Sequence, residues 1–293
     1  MIDTVPKAVD VLTLATPDVG TVQRRLVGLL RDVGEAAGLD LGGAMVENGK
    51  TRTVLRIRGG PRAVGFHASG AMHVDLGLDP FEGGFERDPG DMPLLELLDA
   101  NAARLDLGKR LPADDALTFE RLWRIKAAAG DAEGRLIDPV LCRAVGAYRH
   151  HVRDLPVYGR ATATIHLAAE RKMAAVSLST RRFADDGDGR TLERAATRAP
   201  GDAAREVVDR LVALFRGKSE PTGFEVAPEW FRFGYLSLGR RRAQSILAPF
   251  YLASLSLRHE EESTAHVIAV AGGQDQYLKL PLGQASGGLL RAG

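Results

Sequence analysis

The sequence contains a single cysteine, Cys142, among 293 residues. One thiol excludes a disulfide within the chain, and a zinc site built from cysteines would need more of them. Cys142 lies in an apolar, strand-like stretch, where an inert buried thiol is expected rather than a nucleophile.

A strong net charge and long hydrophobic runs are also absent. The formal net charge is +1, so the charge of the whole chain gives no argument for a nucleic-acid partner. No apolar run approaches the about 18 residues that a membrane helix needs. The first residues lack the basic start and apolar core of a signal peptide. We therefore expect a cytoplasmic protein that binds neither nucleic acid nor membrane.

The sequence lacks the common catalytic motifs. Gly217-Lys218-Ser219 resembles the end of a phosphate-binding loop, but Val212 stands where that loop needs a glycine. The stretches GFHASG and GYLSLG do not have the Gly-x-Ser-x-Gly pattern, and no His-Glu-x-x-His occurs. These absences argue against phosphate-loop enzymes, α/β-hydrolases and helical zinc proteases, and we predict no cofactor.

The periodicity of apolar residues indicates an α+β protein. Val9 to Ala15 alternates like a strand, and Thr16-Pro17-Asp18 is a good helix start, with Thr16 as a possible cap. Apolar residues then recur at helical spacing as far as Val33, and three short strand-like segments follow between residues 51 and 78. This order predicts a helix followed by an antiparallel meander.

A helix followed by strands recurs twice further along the chain. LLELLDANAARL (94–105) predicts a helix, TFERLWRIKAAAGD (118–131) fits either a helix or a strand, and strands dominate from Leu141 to Arg182. A helix capped by Asp202 and ended by Gly217 is predicted next, and strands follow it. Its predicted apolar stripe is Val207, Val208, Leu211, Val212, Leu214 and Phe215.

We therefore predict two or three units, each a helix packed on a curved antiparallel sheet. The predicted units are residues 1–85, 93–183 and 190–293. The polar loops FEGGFERDPGDMP and DDGDGR mark the boundaries.

Histidines are the main candidates for chemistry, but their spacing predicts no metal site. His150 and His151 are adjacent in a strand and must point to opposite faces, so only one of them can join His166. Two histidines do not fix a zinc ion without further ligands. His67, His73 and His266 also lie in strand-like segments, and nothing in the spacing singles out one histidine as an acid or base.

The stretch AVGAYRHHVRDLPVYGRATATIHLAAERKMAAVSLST (144–180) resembles the FTP propeptide domains that precede thermolysin-like zinc peptidases. The matching parts are the Leu-Pro-Val-Tyr-Gly turn at 155–159, the strand ending in His166-Leu167, and Val176 to Ser179. Pro156 fixes φ and Gly159 permits a positive φ, so we expect a tight reversal between them, with Leu155 and Tyr158 packed on the covered face of the sheet.

The C-terminal part is similar to the PepSY domain that normally follows in those proteins. Its helix would be 203–215, its Leu-x-Pro-x-Tyr strand 247–251, and its last strand 267–273. The resemblance implies a helix lying on a curved antiparallel sheet. This sequence has no peptidase domain, so the inhibitory role of such propeptides does not carry over intact.

Three functions remain open. The first is a non-peptidase binding protein that holds a peptide or a small anionic or hydrophobic ligand on the curved sheet. Arginines from 148–182, with seven basic and two acidic residues, and from 232–242 would add affinity. The predicted ligand-binding residues are Tyr148, Arg153, Tyr158, Trp230, Arg232, Tyr235 and Tyr251.

The second function is an enzyme without a cofactor, a cyclase or isomerase of the kind used in natural-product biosynthesis. Its groove would be lined by histidines and tyrosines, and the catalytic candidates are His166, His150 and Tyr158. The third is a protein partner or assembly factor. The sequence does not predict the oligomeric state.

Overall fold

The computed structural model describes residues 5–78, 85–128, 130, 138–160, 162–169, 172–182, 190–215, 225–259, 262–278 and 280. The chain forms two compact units. The larger unit contains residues 15–184 and 237–245, and the smaller unit combines residues 1–14, 185–236 and 246–293. Strand β1 (Ala8–Thr13) opens the chain and belongs to the smaller unit. The division predicted from the sequence, 1–85, 93–183 and 190–293, stays a prediction.

An antiparallel sheet forms the larger unit. Its strands are β2 (Met45–Asn48), β3 (Arg52–Arg56), β4 (Arg62–Phe66), β5 (Met72–Asp75), β6 (Asp115–Ala127), β7 (Val140–Val152), β8 (Leu155–Gly159), β9 (Thr162–Leu167) and β10 (Met173–Leu178). Strands β7, β9, β10, β5, β4, β3 and β2 lie side by side in that order. Strand β6 pairs along β7, and β8 pairs with the end of β7.

Two helices, α1 (Val19–Ala37) and α2 (Asp91–Leu105), pack on one face of this sheet, and a short 3-10 helix, η1 (Leu107–Arg110), follows α2. Helix α1 begins after Asp18, whose carboxylate accepts a hydrogen bond of 2.8 Å from the backbone N–H of Thr21. The predicted cap, Thr16, is therefore wrong by two residues, because the aspartate fills that role. Helix α1 ends at Gly38, where φ is 70°.

The core of the larger unit lies between the helices and alternate residues of the strands. Leu26, Leu29 and Leu98 from the helices meet strand residues such as Val74 and Ile165, all of them fully buried. Because successive strand residues point to opposite faces, the neighbours of these core residues lie on the face turned away from α1 and α2. We call that face the outer face.

Each helix sits over a glycine of the sheet. A Cβ added at Gly65 in β4 would lie 2.6 Å from Val22 of α1, and one added at Gly146 in β7 would lie 2.7 Å from Leu98 of α2. The absence of a side chain at these two positions therefore sets how closely the helices approach the strands.

The smaller unit repeats the helix-on-sheet arrangement. Its remaining elements are β11 (Thr191–Ala196), α3 (Pro200–Phe215), β12 (Glu225–Ser237), β13 (Ile246–Leu247), β14 (Pro249–His259) and β15 (Glu262–Ala271). Strand β1 lies between β11 and β13, and β12, β14 and β15 form an antiparallel meander. Helix α3 packs on β14 and β15.

Helix α3 differs from the prediction in its start and in its buried stripe. It begins at Pro200, so Asp202 lies in its first turn and is not the cap. The buried residues are Ala203, Val207 and Leu211, which recur every four positions, whereas Val208 and Val212 are 57% and 51% exposed. The predicted stripe was too wide and missed the small Ala203; the side chain of Phe215, which completed it, lies outside the described residues.

The reversal after β7 also differs from the prediction. The turn is at Arg153 and Asp154, which have φ values of 46° and 69°, and Val152 pairs with Leu155 across it. Two central residues with positive φ are typical of a type I′ hairpin. Pro156 and Gly159 therefore lie in or at the end of strand β8, where Val157 is the buried residue, and they do not form the reversal.

The predicted fold class is confirmed: the chain is α+β, with helices packed on antiparallel sheets. The ambiguous segment 118–131 contains most of strand β6. The predicted boundary loop FEGGFERDPGDMP is described only from Phe85 onwards, and all of DDGDGR except Arg190 lies outside the described residues.

Candidate binding site on the outer face of the larger sheet

Three adjacent strands bring two histidines to the outer face. His73 of β5 pairs with Ser177 of β10, which pairs in turn with Thr164 of β9. His166 of β9 pairs with Ala175 of β10, which pairs with Asp75 on its other side. The imidazoles therefore stand on the two strands that flank β10, with only small side chains between them.

These side chains line a depression with a volume of about 730 Å³. Its floor contains Ala174 and Ala175, where β10 has a bulge against β9. A bulge places an extra residue in the strand and locally re-aims the side chains beside it. The lining residues are Arg56, Ile57, Gly60, Pro61, Arg62, His73, Asp75, Gly77, Leu78, Arg143, His166, Ala174 and Ala175.

Both imidazoles are held towards their neutral form. Burial, with the nearby His73 and then the Arg143 guanidinium, lowers the pKa of His166 to about 4. Burial and the charge of Arg240 also lower the pKa of His73. His73 Nδ1 lies 2.7 Å from Ser177 Oγ, and His166 Nε2 lies 3.3 Å from Thr164 Oγ1. At neutral pH each ring therefore carries one N–H donor and one acceptor nitrogen.

Guanidinium groups surround the pair. Arg143 is buried and donates to the carbonyl oxygens of Cys142 and Leu78, at 2.8 and 2.7 Å. Arg62 pairs with Asp75 at 3.2 Å, at the other side of the depression. The backbone carbonyls hold Arg143 in place but leave its positive charge without a carboxylate in these contacts.

Besides the lining residues Arg56, Arg62 and Arg143, a fourth arginine reaches the same face from the segment Ser237–Ser245. Arg240 donates from Nε to Ser179 Oγ, at 2.9 Å, beyond Ser177 on β10. Buried Arg181 fixes this segment, because it donates to the carbonyl oxygens of Leu238 and Arg242, at 3.0 and 3.1 Å. Burial lowers the pKa of Arg181 to about 10, so it remains charged at neutral pH.

The three catalytic candidates of the sequence are not brought together. His166 lies on the outer face, whereas His150 is an even number of residues from Tyr148 and shares the helix-covered face with it. The His150 and Asp115 side chains are 1% and 0% exposed, and His150 Nε2 lies 2.7 Å from Asp115 Oδ2. The buried Asp115 contact gives His150 a structural partner. Tyr158 lies on β8, with the Arg149 guanidinium 5.4 Å from its ring centre.

Two of the predicted ligand-binding residues of the larger unit lie near that hairpin. Tyr148 is buried, its ring meets Phe119 edge-on at 5.7 Å, and burial raises its pKa to about 12. Arg153 occupies the turn, with Nε 4.0 Å from Asp114 Oδ2. Neither residue lines the depression between the two histidines.

The other predicted ligand-binding residues belong to the smaller unit. The Tyr235 hydroxyl donates to the carbonyl oxygen of Asp10 at 2.8 Å, and the Tyr251 hydroxyl to that of Arg198 at 2.7 Å. Both tyrosines are buried. On β12, the Arg232 guanidinium lies 5.1 Å from the centre of the Trp230 ring. Ligand binding by this set stays a prediction.

The sequence did not single out His73, Ser177, Arg143 and Arg240. His73 and Ser177 are 104 positions apart, and only the pairing of β5 with β10 joins them. The one local signal was His73-x-Asp75, two polar residues on the same side of an otherwise apolar strand.

The described residues contain neither a cluster of metal ligands nor a membrane-spanning helix. No group of three or more His, Cys, Asp or Glu side chains in that part of the chain is placed to hold a metal ion. No helix among the described residues has the length and apolar character needed to cross a membrane.

No protein-family model matches the chain, and no curated protein matches it. Among solved structures, an uncharacterized protein from Eubacterium rectale has a similar fold, with a TM-score of 0.50 at 11% identity, over 95% of this chain and 89% of that chain. The C-terminal domain of Bacillus megaterium YpeB gives a TM-score of 0.33 at 7% identity, over 87% of this chain and 94% of that chain. The first likeness concerns the fold alone. The second carries no argument, and the resemblance to the propeptide and PepSY domains stays a prediction.

Proposed function

We propose that the larger unit binds a small anionic ligand in the depression between strands β5 and β9. The observation that carries this proposal is the pair of half-buried imidazoles, His73 and His166, standing over a floor of small side chains beside the Arg143 guanidinium. The protein would then be a non-peptidase binding protein whose ligand lies on the outer face of the sheet.

The charge around the depression supports an anion. Arg56, Arg62 and Arg143 line it, and Asp75 is the single carboxylate among the described lining residues. Arg62 pairs with Asp75 and Arg56 with Glu47, whereas the contacts given for Arg143 are with carbonyl oxygens. A ligand carboxylate or phosphate would receive charge-assisted hydrogen bonds here, which are stronger than neutral ones.

The state of the imidazoles supports the same ligand class. Both histidines are kept neutral by burial and by nearby cations, so a bound anion would offset the cations and stabilise the imidazolium form. Binding must therefore raise the pKa of both rings, so the pKa values of His73 and His166 can be used to measure binding.

The test is an NMR titration of the imidazole nitrogens, with sodium succinate and sodium phosphate as separate probes and sodium chloride at equal ionic strength as the reference. We expect one of the two anions to raise the pKa of both His73 and His166, and to raise it by less in Arg240→Gln. Arg194→Gln, which removes an exposed arginine of β11 in the smaller unit, is the matched control and should titrate like the wild type. If neither anion moves either ring more than chloride does, the proposal is wrong.

A cofactor-independent enzyme is the second candidate, and one contact favours it. Ser177 Oγ lies 2.7 Å from His73 Nδ1. Asp75 follows the histidine by two residues on the same strand, β5. A serine activated in this way would attack a fluorophosphonate probe at phosphorus, releasing fluoride while His73 takes the hydroxyl proton. Labelling of Ser177 that disappears in His73→Asn would favour the enzyme. Unlabelled Ser177, together with a histidine pKa that responds to an anion, would favour the binding protein.

A further inference from the structure

A second depression lies between helix α1 and the end of helix α2, away from the two histidines. Its volume is about 780 Å³. Helix α1 lines it with a stripe of residues at helical spacing, and the end of α2 and helix η1 close it. The cationic residues of this lining are Arg24, Arg25, Arg31, Arg104, Lys109 and Arg110.

The three carboxylates of the lining do not balance these cations. Asp32 pairs with Arg110 and lies 3.6 Å from Arg31, and Asp106 pairs with Lys109. The third carboxylate, Glu35, forms no ion pair within the part of the chain that the structure describes. The depression therefore carries an excess of positive charge.

Arg25 is the partly buried cation of this lining that forms no ion pair among the described residues. It is partly buried, and within the described ranges no carboxylate or carbonyl group forms a hydrogen bond or ion pair with it. Its guanidinium lies beside Gly70, where an added Cβ would be 3.1 Å from Nη1. Burial, and then the charges of Arg182 and Arg110, lower the pKa of Arg25 to about 10, so it stays charged at neutral pH.

A partly buried guanidinium among other cations is unfavourable unless an anion accompanies it. Removing a charge from water costs free energy that only a partner or hydrogen bonds offset, and two nearby arginines add repulsion. Arginine presents planar donors that match the oxygens of phosphate and carboxylate groups. The local excess of charge suits an anion that carries more than one negative charge.

We propose that the depression between α1 and α2 is a binding site for a compact oxyanion of charge −2, held by Arg25. A phosphate monoester and a dicarboxylate share this chemistry. The site is separate from the outer face, and its existence does not depend on the function proposed for that face.

Thermal unfolding tests the proposal, with sodium phosphate, sodium succinate and sodium chloride compared at equal ionic strength. We expect phosphate or succinate to raise the Tm of the wild type above its value in chloride, by about 5 °C when the anion is at about a hundred times its Kd. Arg25→Gln should lose most of that rise, whereas the control Arg194→Gln should keep it. A rise with phosphate alone assigns a phosphate ligand, and an equal or larger rise with succinate assigns a dicarboxylate.

The same variants distinguish anion binding at this site from other causes of a rise in Tm. Phosphate stabilises many proteins by exclusion from their surface, and that effect would be the same in Arg25→Gln and in the wild type. Equal rises in both proteins, or no rise above chloride in the wild type, would overturn the proposal. His166→Gln should keep the part of the rise that Arg25→Gln loses, because an anion bound at the outer face depends on His166 and not on Arg25. If Arg25→Gln does not fold, Arg104→Gln, at an exposed lining position, should reduce phosphate affinity by about fivefold.

Discussion

At the scale of single residues, folding lowers the pKa of His166. Its folded pKa of about 4 lies below the ordinary 6.5, so between these two pH values the unfolded chain binds a proton that the folded chain does not. The free energy of unfolding therefore falls as the pH drops from 6.5 towards 4, and the contribution of His166 is complete above pH 6.5.

The first prediction follows from that sign. Between pH 7.5 and pH 4 the wild type should lose about 3 kcal/mol more unfolding free energy than His166→Gln, whose side chain does not titrate. Urea unfolding of both proteins at the two pH values measures the difference. The same loss in both proteins would mean that His166 is not held neutral by the fold.

His166 could be predicted from the sequence as a candidate functional residue, but the side chains around it could not. Alternation of side chains along a strand correctly separates His150 from His151, and it requires no knowledge of the neighbouring strands. The partners of His166 come from β5, β7 and β10 and depend on the register between strands distant in the chain. Periodicity contains no information on that register, so the set of residues that forms the site could not be predicted from the sequence.

At the scale of elements, the contacts of α1 and α2 with the sheet each depend on one glycine. We predict that Gly65→Ala and Gly146→Ala each destabilise the protein by about 1–3 kcal/mol, because the new methyl group would overlap Val22 or Leu98. The control is Gly28→Ala on α1, where nothing lies within 4 Å of the added Cβ, and it should stabilise the protein by up to about 1 kcal/mol. Urea unfolding midpoints measure all three, and a neutral Gly146→Ala would show that the helix can move at little cost.

The hairpin after β7 contains a second element-scale prediction. Arg153 and Asp154 both have positive φ, which costs non-glycine residues free energy, and Asn-Gly is the preferred pair for such a turn. Replacement of this pair by Asn-Gly should raise the free energy of unfolding by about 1 kcal/mol, as measured in urea. The reverse order, Gly-Asn, is the composition-matched control and should gain less. Equal or lower stability of the Asn-Gly protein would contradict the turn type.

Elements with one clear period were predictable, and those with a broken period were not. Helix α1 keeps its apolar spacing over its whole length, so its position could be predicted within a few residues. Strand β6 was ambiguous because it has a bulge between Phe119 and Arg121, which shifts the alternation by one residue. After the shift Trp123 and Ile125 are exposed, so the apolar residues no longer mark a buried face.

At the scale of the whole molecule, the smaller unit depends on the first strand of the chain. Strand β1 is the middle strand between β11 and β13 and buries Val9, Val11 and Leu12. Burial of one such side chain contributes about 1.5–3 kcal/mol. Three of them together match much of the 5–15 kcal/mol that stabilises an ordinary domain.

We therefore predict that deletion of residues 1–14 unfolds the smaller unit. Amide hydrogen exchange should show lost protection in β11 and β14, while β9 and β10 of the larger unit keep theirs. The control is the full-length variant Val208→Ser, a polar substitution at an exposed position of α3, which should keep protection in both units. Retained protection of β11 after the deletion would show that β1 is dispensable.

The position of β1 also has a consequence for synthesis on the ribosome. Translation adds about 5–20 residues per second, so at least about 10 s separate the emergence of β1 from that of β13, its last partner. During this interval the nascent chain presents an apolar strand with two unpaired edges while the larger unit is completed behind it. The N-terminal strand is thus the segment of this protein that a ribosome-bound chaperone would have most time to hold.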